Sequence, residues 1–149
     1  MDTEQKTIEK LTKGLLKKME LEGAVSVSDS EDQFFVEITG KDLGILIGYH
    51  GETLNAFQLI LNMSVYRKLG KWIRILVDVG DYRKERGVAL RKIAESAAQK
   101  ARFLQKNVEL NPMTPYERML IHTAVSEMEG VKSESVGDSR NRRVVISPA

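Results

Sequence analysis

"ILIGYHGETL", residues 45–54, decides how the first half of this chain is read. An apolar run stops at Gly48, two bulky polar residues follow, Gly51 closes the gap, and a helix-like pattern resumes. Glycine gives backbone freedom at both hinges and lets another backbone approach closely. A helix restarting after Gly51 aims its free N–H groups and the positive end of its dipole at the loop. A loop without bulk at its ends, placed at such a helix start, suits a sugar-phosphate backbone.

The flanks set the context of that loop. Asp2 as N-cap with Gln5 at N3 predicts a helix to about Leu21, with Ile8, Leu11, Leu15 and Met19 as its apolar stripe and Gly23 as its stop. "AVSVSDS" and "QFFVEITG" alternate with period two, through Val25 and Val27, then Phe34, Val36 and Ile38. The polar linker Asp29–Asp32 makes them a hairpin. Lys41–Gly48 reads as one or two turns of helix. A second helix runs from about Glu52 to Leu69, with Leu54, Phe57, Gln58, Leu61 and Val65 on one face. "KWIRILVDVG", residues 71–80, is a strand rich in β-branched residues. A layer of helices over three strands would bury this half.

"IGYHGETL" fits the signature I-G-x-x-G-x-x-L of the KH domain through Ile47, Gly48, Gly51 and Leu54. The order of helix, two strands, two helices and strand resembles the bacterial, type II form of that fold. The resemblance implies that the loop grips single-stranded nucleic acid, which KH domains do over about four nucleotides. One departure stands out. Many KH loops carry lysine or arginine between the glycines, whereas here Tyr49 and His50 stand there. Phosphate contacts would then fall mainly to backbone N–H groups, with charge added by neighbours such as Lys41.

Composition narrows the class. The chain has 149 residues and is 42% hydrophobic, enough for one domain or two small ones with a core. It contains no cysteine, which excludes disulfides and thiolate metal sites and suits a reducing, cytoplasmic setting. Two histidines far apart in sequence, His50 and His122, do not suggest a zinc site. No stretch approaches the roughly 20 apolar residues of a membrane span, and the N-terminus lacks the apolar segment of a signal peptide. Net charge is +2 and uneven: residues 1–40 carry 5 basic and 9 acidic groups, residues 80–149 carry 13 and 9. That drift toward positive charge points to an anionic partner.

From Asp81 to about Lys106 the pattern is a long helix with Leu90, Ile93, Ala97, Ala101 and Leu104 on its apolar side. Lys84, Arg91, Arg102 and Lys106 fall within about 60° of one another on the opposite side. "VEL" is a short strand. "TPYE", residues 114–117, is a strong helix start, with Thr114 at N-cap, Pro115 at N1 and Glu117 at N3. "VKSESV" and "RRVVIS" read as two strands joined by "GDSRN". Arg118 and His122, four apart on the capped helix, share a face on which they could offer donors to a phosphate. The stripe Ile121, Ala124, Val125 and Met128 lies mostly on another side.

"PYERMLIHTAV", after a long basic helix and before "NRRVVI", resembles the R-3-H domain, a small single-stranded nucleic-acid-binding module. Arg118 and His122 occupy its arginine and histidine positions, and Arg142 and Arg143 would extend the basic surface on the last strand. A KH domain followed directly by an R-3-H domain is similar to the Jag, or SpoIIIJ-associated, family of bacteria. The expected fold is therefore α+β: a type II KH domain over residues 1–80, α-β-β-α-α-β, then a small α/β R-3-H domain over residues 81–149. Many members carry an additional N-terminal domain and linker, and roles that depend on it are not carried over.

The resemblance implies a non-catalytic single-stranded RNA-binding protein of the bacterial cytoplasm, acting after transcription in a pathway linked to cell division or cell shape. Its expected nucleic-acid-binding residues are Lys41, Ile47, Gly48, Tyr49, His50, Gly51, Arg118, His122, Arg142 and Arg143. Single-stranded DNA is a second expected ligand for the C-terminal domain. No cofactor, metal or catalytic residue is expected. A phosphodiesterase using His122 and Glu117 is the enzymatic alternative, but no second histidine, carboxylate metal cluster or nucleophile motif accompanies them. The other alternative is an adaptor that acts with another KH protein, a second copy or the membrane-insertion machinery.

Overall fold

In a computed structural model, residues 3–149 are described and form an α+β chain of two compact units, the first ending at Arg83 and the second spanning Lys84–Ala149. Asp2, expected to cap the first helix, lies outside the described residues.

The first unit contains α1 (Thr3–Lys18), β1 (Ala24–Ser30), β2 (Gln33–Thr39), α2 (Gly44–Ile47), α3 (Glu52–Leu69) and β3 (Ile75–Val79). That is the α-β-β-α-α-β order of the type II KH fold. β1 and β2 pair antiparallel and β2 and β3 parallel, in the sheet order β1-β2-β3. A parallel neighbour needs a crossover, and α2, the glycine loop and α3 supply it. Alternation places Phe34, Val36 and Ile38 of β2 in the core with Ile75, Val77 and Val79 of β3. Leu54, Phe57, Leu61 and Val65 of α3 cover them, as the periodicity predicts.

Four local expectations need correction. α1 stops at Lys18, before Leu21, because Glu20 adopts φ 58°. There Leu21 N–H donates to Leu16 O (3.0 Å) and Glu20 N–H to Lys17 O (3.0 Å), the bond pair of a Schellman stop. The α1 stripe is also rotated. Ile8, Thr12 and Leu16 are buried, whereas Met19 is 43% exposed; Thr12 is tolerated because its hydroxyl donates to Ile8 O at 2.7 Å. The strand expected over residues 71–80 is shorter, β3, and the hairpin turn is tighter than Asp29–Asp32, since Ser30 pairs with Gln33.

The second unit is built on α4 (Tyr82–Leu104), whose first turn contains the division between units, with β4 (Val108–Glu109), α5 (Pro115–Ser126), β5 (Val131–Val136) and β6 (Arg143–Pro148). Its sheet has the antiparallel order β4-β6-β5. The buried face of α4 is Leu90, Ala94, Ala97, Ala98 and Ala101. Ile93 and Leu104, expected in the core, are exposed. Small alanines win the buried face because they permit close packing against Ile121, Ala124, Val125, Val144 and Ile146. The expected basic side of α4 is partly engaged in the fold. Arg91 pairs with Glu95 and Glu127, and Arg102 Nη1 donates to Glu129 O (2.8 Å).

Candidate nucleic-acid interface

The glycine loop is built by conformations that other residues resist. Gly48 has φ 71° and ψ −170°, a region essentially restricted to glycine. A Cβ there would lie 2.1 Å from Thr53 Oγ1 and 3.0 Å from Thr53 N. Gly51 has φ 79° in the left-handed region and caps the start of α3; a Cβ there would press on Tyr82 Cε1 at 3.1 Å. Between them Tyr49–Gly51 form one 3-10 turn in which His50 itself adopts φ 51°. The Tyr49 and His50 rings stack, with centroids 4.0 Å apart and planes 10° apart. Tyr49 is 66% exposed. Ile47, at the end of α2, packs partly against the core.

Two residues outside the motif hold α3 in place: Gln58, which the sequence put on the same face as the core residues without showing its partner, and Arg83, which sequence reading missed. Gln58 Oε1 accepts from Val77 N–H (2.9 Å), tying α3 to β3. Arg83 donates through Nε to Val77 O (2.8 Å), through Nη1 to Asn55 Oδ1 (3.1 Å) and through Nη2 to Gln58 Oε1 (3.2 Å). Lys41 stands at the other end of α2 from the loop in sequence. It borders a cleft with Glu20, Glu22 and Asp42.

A carboxylate cluster that sequence reading did not find is assembled by the parallel β2–β3 register, which pairs Glu37 with Asp78. Asp81 joins them, all three offering oxygens within 4.8 Å of one another. Burial, followed by the charges of Asp78 and Asp81, pushes Glu37 up against the opposing hydrogen bond from Asp81 N–H. Asp78 Oδ1 accepts from Val79 N–H (2.8 Å) and Arg83 N–H (3.1 Å), so it caps the start of α4. Two of the three acids thus have backbone partners.

In the second unit, Thr114 Oγ1 accepts from Glu117 N–H (3.3 Å), with Pro115 following the cap as the sequence predicts. The Glu117 side chain is engaged by α4. Its carboxylate is 3% exposed as a residue and receives Arg86 through Nε (2.5 Å) and Nη2 (3.2 Å). This ion pair clamps α5 to α4 and engages the carboxylate that the phosphodiesterase reading needed.

Arg118 and His122 do lie together one turn apart on α5. Arg118 is half-buried and donates through Nη1 to Met113 O (2.6 Å). His122 uses both ring nitrogens, Nδ1 with Ser133 Oγ and Nε2 with Ser135 Oγ, each at 2.7 Å. Burial, and after it the Arg118 charge, hold His122 below its usual range. Arg142 sits just before β6, not within it, and donates to Gly137 O (2.8 Å). Arg143 opens β6 and is turned to Asn141 O (3.1 Å) and Glu109 Oε1 (3.2 Å). Ser133, Ser135 and Met113 were missed because nothing in their spacing announces them.

A KH unit with its G-x-x-G loop, followed by a unit with arginine and histidine one helical turn apart, defines a KH-plus-R-3-H protein. Residues 5–77 match the family described as "KhpA/KhpB, KH domain", and residues 88–148 match the R-3-H domain. The chain belongs to the Jag (KhpB) family. It is similar to the RNA-binding protein KhpB of Clostridium symbiosum, 34% identical over 129 residues, which are 87% of this chain and 58% of that one. It is likewise similar to the RNA-binding proteins KhpB of Bacillus subtilis, 33% identical over 83% of this chain and 60% of that one, and of Streptococcus pneumoniae, 31% identical over 86% and 39%. The chain thus spans less than two thirds of the length of these relatives. Among the described residues no helix is long and apolar enough to cross a membrane.

Proposed function

We propose that this chain binds single-stranded RNA without catalysing a reaction on it. The carrying observation is the glycine loop: two positive-φ glycines at the start of α3, in a chain whose relatives are named RNA-binding proteins. Backbone N–H groups at a helix start suit phosphate, and exposed Tyr49, stacked on half-buried His50, stands where lysines and arginines are common in such loops. Arg118, with Arg142, Arg143 and the His122 face, offers the second contact surface, and single-stranded DNA is an additional ligand there. The setting is the cytoplasm, with a regulatory role linked to cell division or cell shape. Replacing both Tyr49 and His50 with aspartate puts negative charge against the phosphate track. Fluorescence anisotropy with a labelled single-stranded RNA should show at least about a tenfold loss, roughly 1.4 kcal/mol. Equal binding by a folded double variant would remove the loop from the site.

A second reading, an adaptor that docks another KH protein or a second copy, is favoured by one observation. Leu59, Ile60, Met63 and Tyr66 are exposed along α3, and Trp72 stacks on Tyr66 with ring centroids 4.6 Å apart. Apolar groups clustered on one helix face mark an interaction surface. Met63→Glu should then lower the sedimenting mass of any complex without changing RNA affinity. An unchanged mass would reject the docking role.

A further inference from the structure

His122 is spoken for at both ring nitrogens, so the imidazole has no donor left for a ligand in the geometry observed. Its two partners are alternate residues of β5, which share a strand face, and both are half-buried. Lys132 and Glu134 alternate to the other face. A neutral imidazole has one N–H and one acceptor nitrogen. One serine therefore accepts from the ring and keeps its own O–H proton for another partner, while the other serine gives its proton to the ring. Arg118, one turn earlier, uses Nη1 on Met113 O, and its other N–H groups hydrogen-bond no protein acceptor among the described residues.

We infer that His122 is a positioning residue, and that a phosphodiester oxygen is met in this unit by the Ser133 and Ser135 hydroxyls that His122 orients, beside the Arg118 guanidinium. This rests on the RNA-binding reading above and deepens it. The imidazole decides how many donors the pair presents. When neutral it leaves one serine proton free. When protonated it donates through both nitrogens, and both hydroxyl protons turn outward to an acceptor. From α5, Arg118 is the charged group facing the ring; β5 presents the two serines; on β6, Arg143 is held by Asn141 and Glu109. Burial and Arg118 place the change below the ordinary histidine value of 6.5.

The test uses the full chain with His50→Gln as parent, which leaves His122 as the one remaining histidine. Affinity for a labelled single-stranded RNA is measured by anisotropy at pH 7.5 and 5.5, with circular dichroism to verify folding. The parent should bind more tightly at the lower pH. Combining Ser133→Ala and Ser135→Ala should weaken binding roughly threefold to tenfold at pH 7.5, the loss expected for hydrogen bonds of ordinary strength, and flatten the pH response. His122→Gln keeps one donor and one acceptor, so it should retain most of the affinity at pH 7.5 while losing the pH response. A pH response that survives in the double serine variant would mean that the imidazolium itself touches phosphate, and would overturn the inference. Should that variant fail to fold, Ser135→Ala alone carries the same comparison through a reduced pH response. Loss of affinity in Arg118→Ala with none in the serine variants would overturn the inference and leave RNA binding standing. A wild-type chain that binds no RNA would overturn both, whereas wild-type binding lost in the His50→Gln parent would place the contact at the glycine loop and overturn the inference alone.

Discussion

At the glycine loop the surface is shaped by backbone, whereas in the C-terminal unit it is shaped by side chains already bonded to the protein. Gly48 and Gly51 hold dihedral angles that a Cβ would oppose, and Thr53 and Tyr82 occupy the space a side chain would need. Arg118 and His122 have ordinary helical backbone, and their direction is set by Met113 O, Ser133 and Ser135. The difference teaches where each unit is vulnerable. The first should respond to a single added methyl group, the second to removal of a polar partner.

The largest expected effect tests the second half of that contrast. Arg86→Ala leaves the Glu117 carboxylate buried without the guanidinium that meets it through two bonds. Breaking a buried ion pair from one side costs about 3 kcal/mol. Residue-resolved amide hydrogen exchange should show α5 and β6 losing protection by that amount. Protection within about 0.5 kcal/mol of wild type, the usual surface-substitution range, would show that packing of Ile121 and Val125 holds the unit without the pair.

Gly48→Ala comes next and tests the backbone half. Strain in a glycine-only region costs about 1–3 kcal/mol, and the clash with Thr53 adds to it. Trp72 is the single tryptophan and lies in the first unit, so its fluorescence during urea unfolding reads the loss directly. Gly14→Ala is the control of opposite sign. Nothing lies within 4 Å of a Cβ at this exposed helical position, so alanine should stabilise by roughly 0.5–1 kcal/mol. If both substitutions act alike, the loop geometry is not what restricts position 48.

The smallest effect is a pH dependence of stability from His122. Its folded value is lowered from 6.5, so between the two values the unfolded chain binds more protons than the folded one. Stability is therefore fully present above about pH 6.5 and declines as pH falls through the lowered folded value. Melting temperatures of the wild type and His122→Gln, compared from pH 7.5 to 5, should diverge in that direction, with the wild type losing more. Parallel curves would show that the serine pair accommodates the imidazolium as well as the imidazole.

Much of this was legible in the residues themselves. Period-two runs at Phe34–Ile38 and the glycine pair between two helical patterns specify the first unit's element order, because alternation and chain reversal are local consequences of sequence. Thr114-Pro115 specified the start of α5 for the same reason, since a cap acts within three residues. Tertiary contact decided the rest. Which side of α1 is buried depended on how Ile8 and Leu16 pack into the first unit's core, and which side of α4 on how closely alanines let Ile121 and Val144 approach. The partners of Arg118 and His122 were decided by where β5 and the residues before α5 come to lie. Periodicity records which face of an element is apolar, but a hydrogen bond needs two groups within about 3 Å. For residues 11 or 13 positions apart, as His122 is from Ser133 and Ser135, only the folded chain sets that distance.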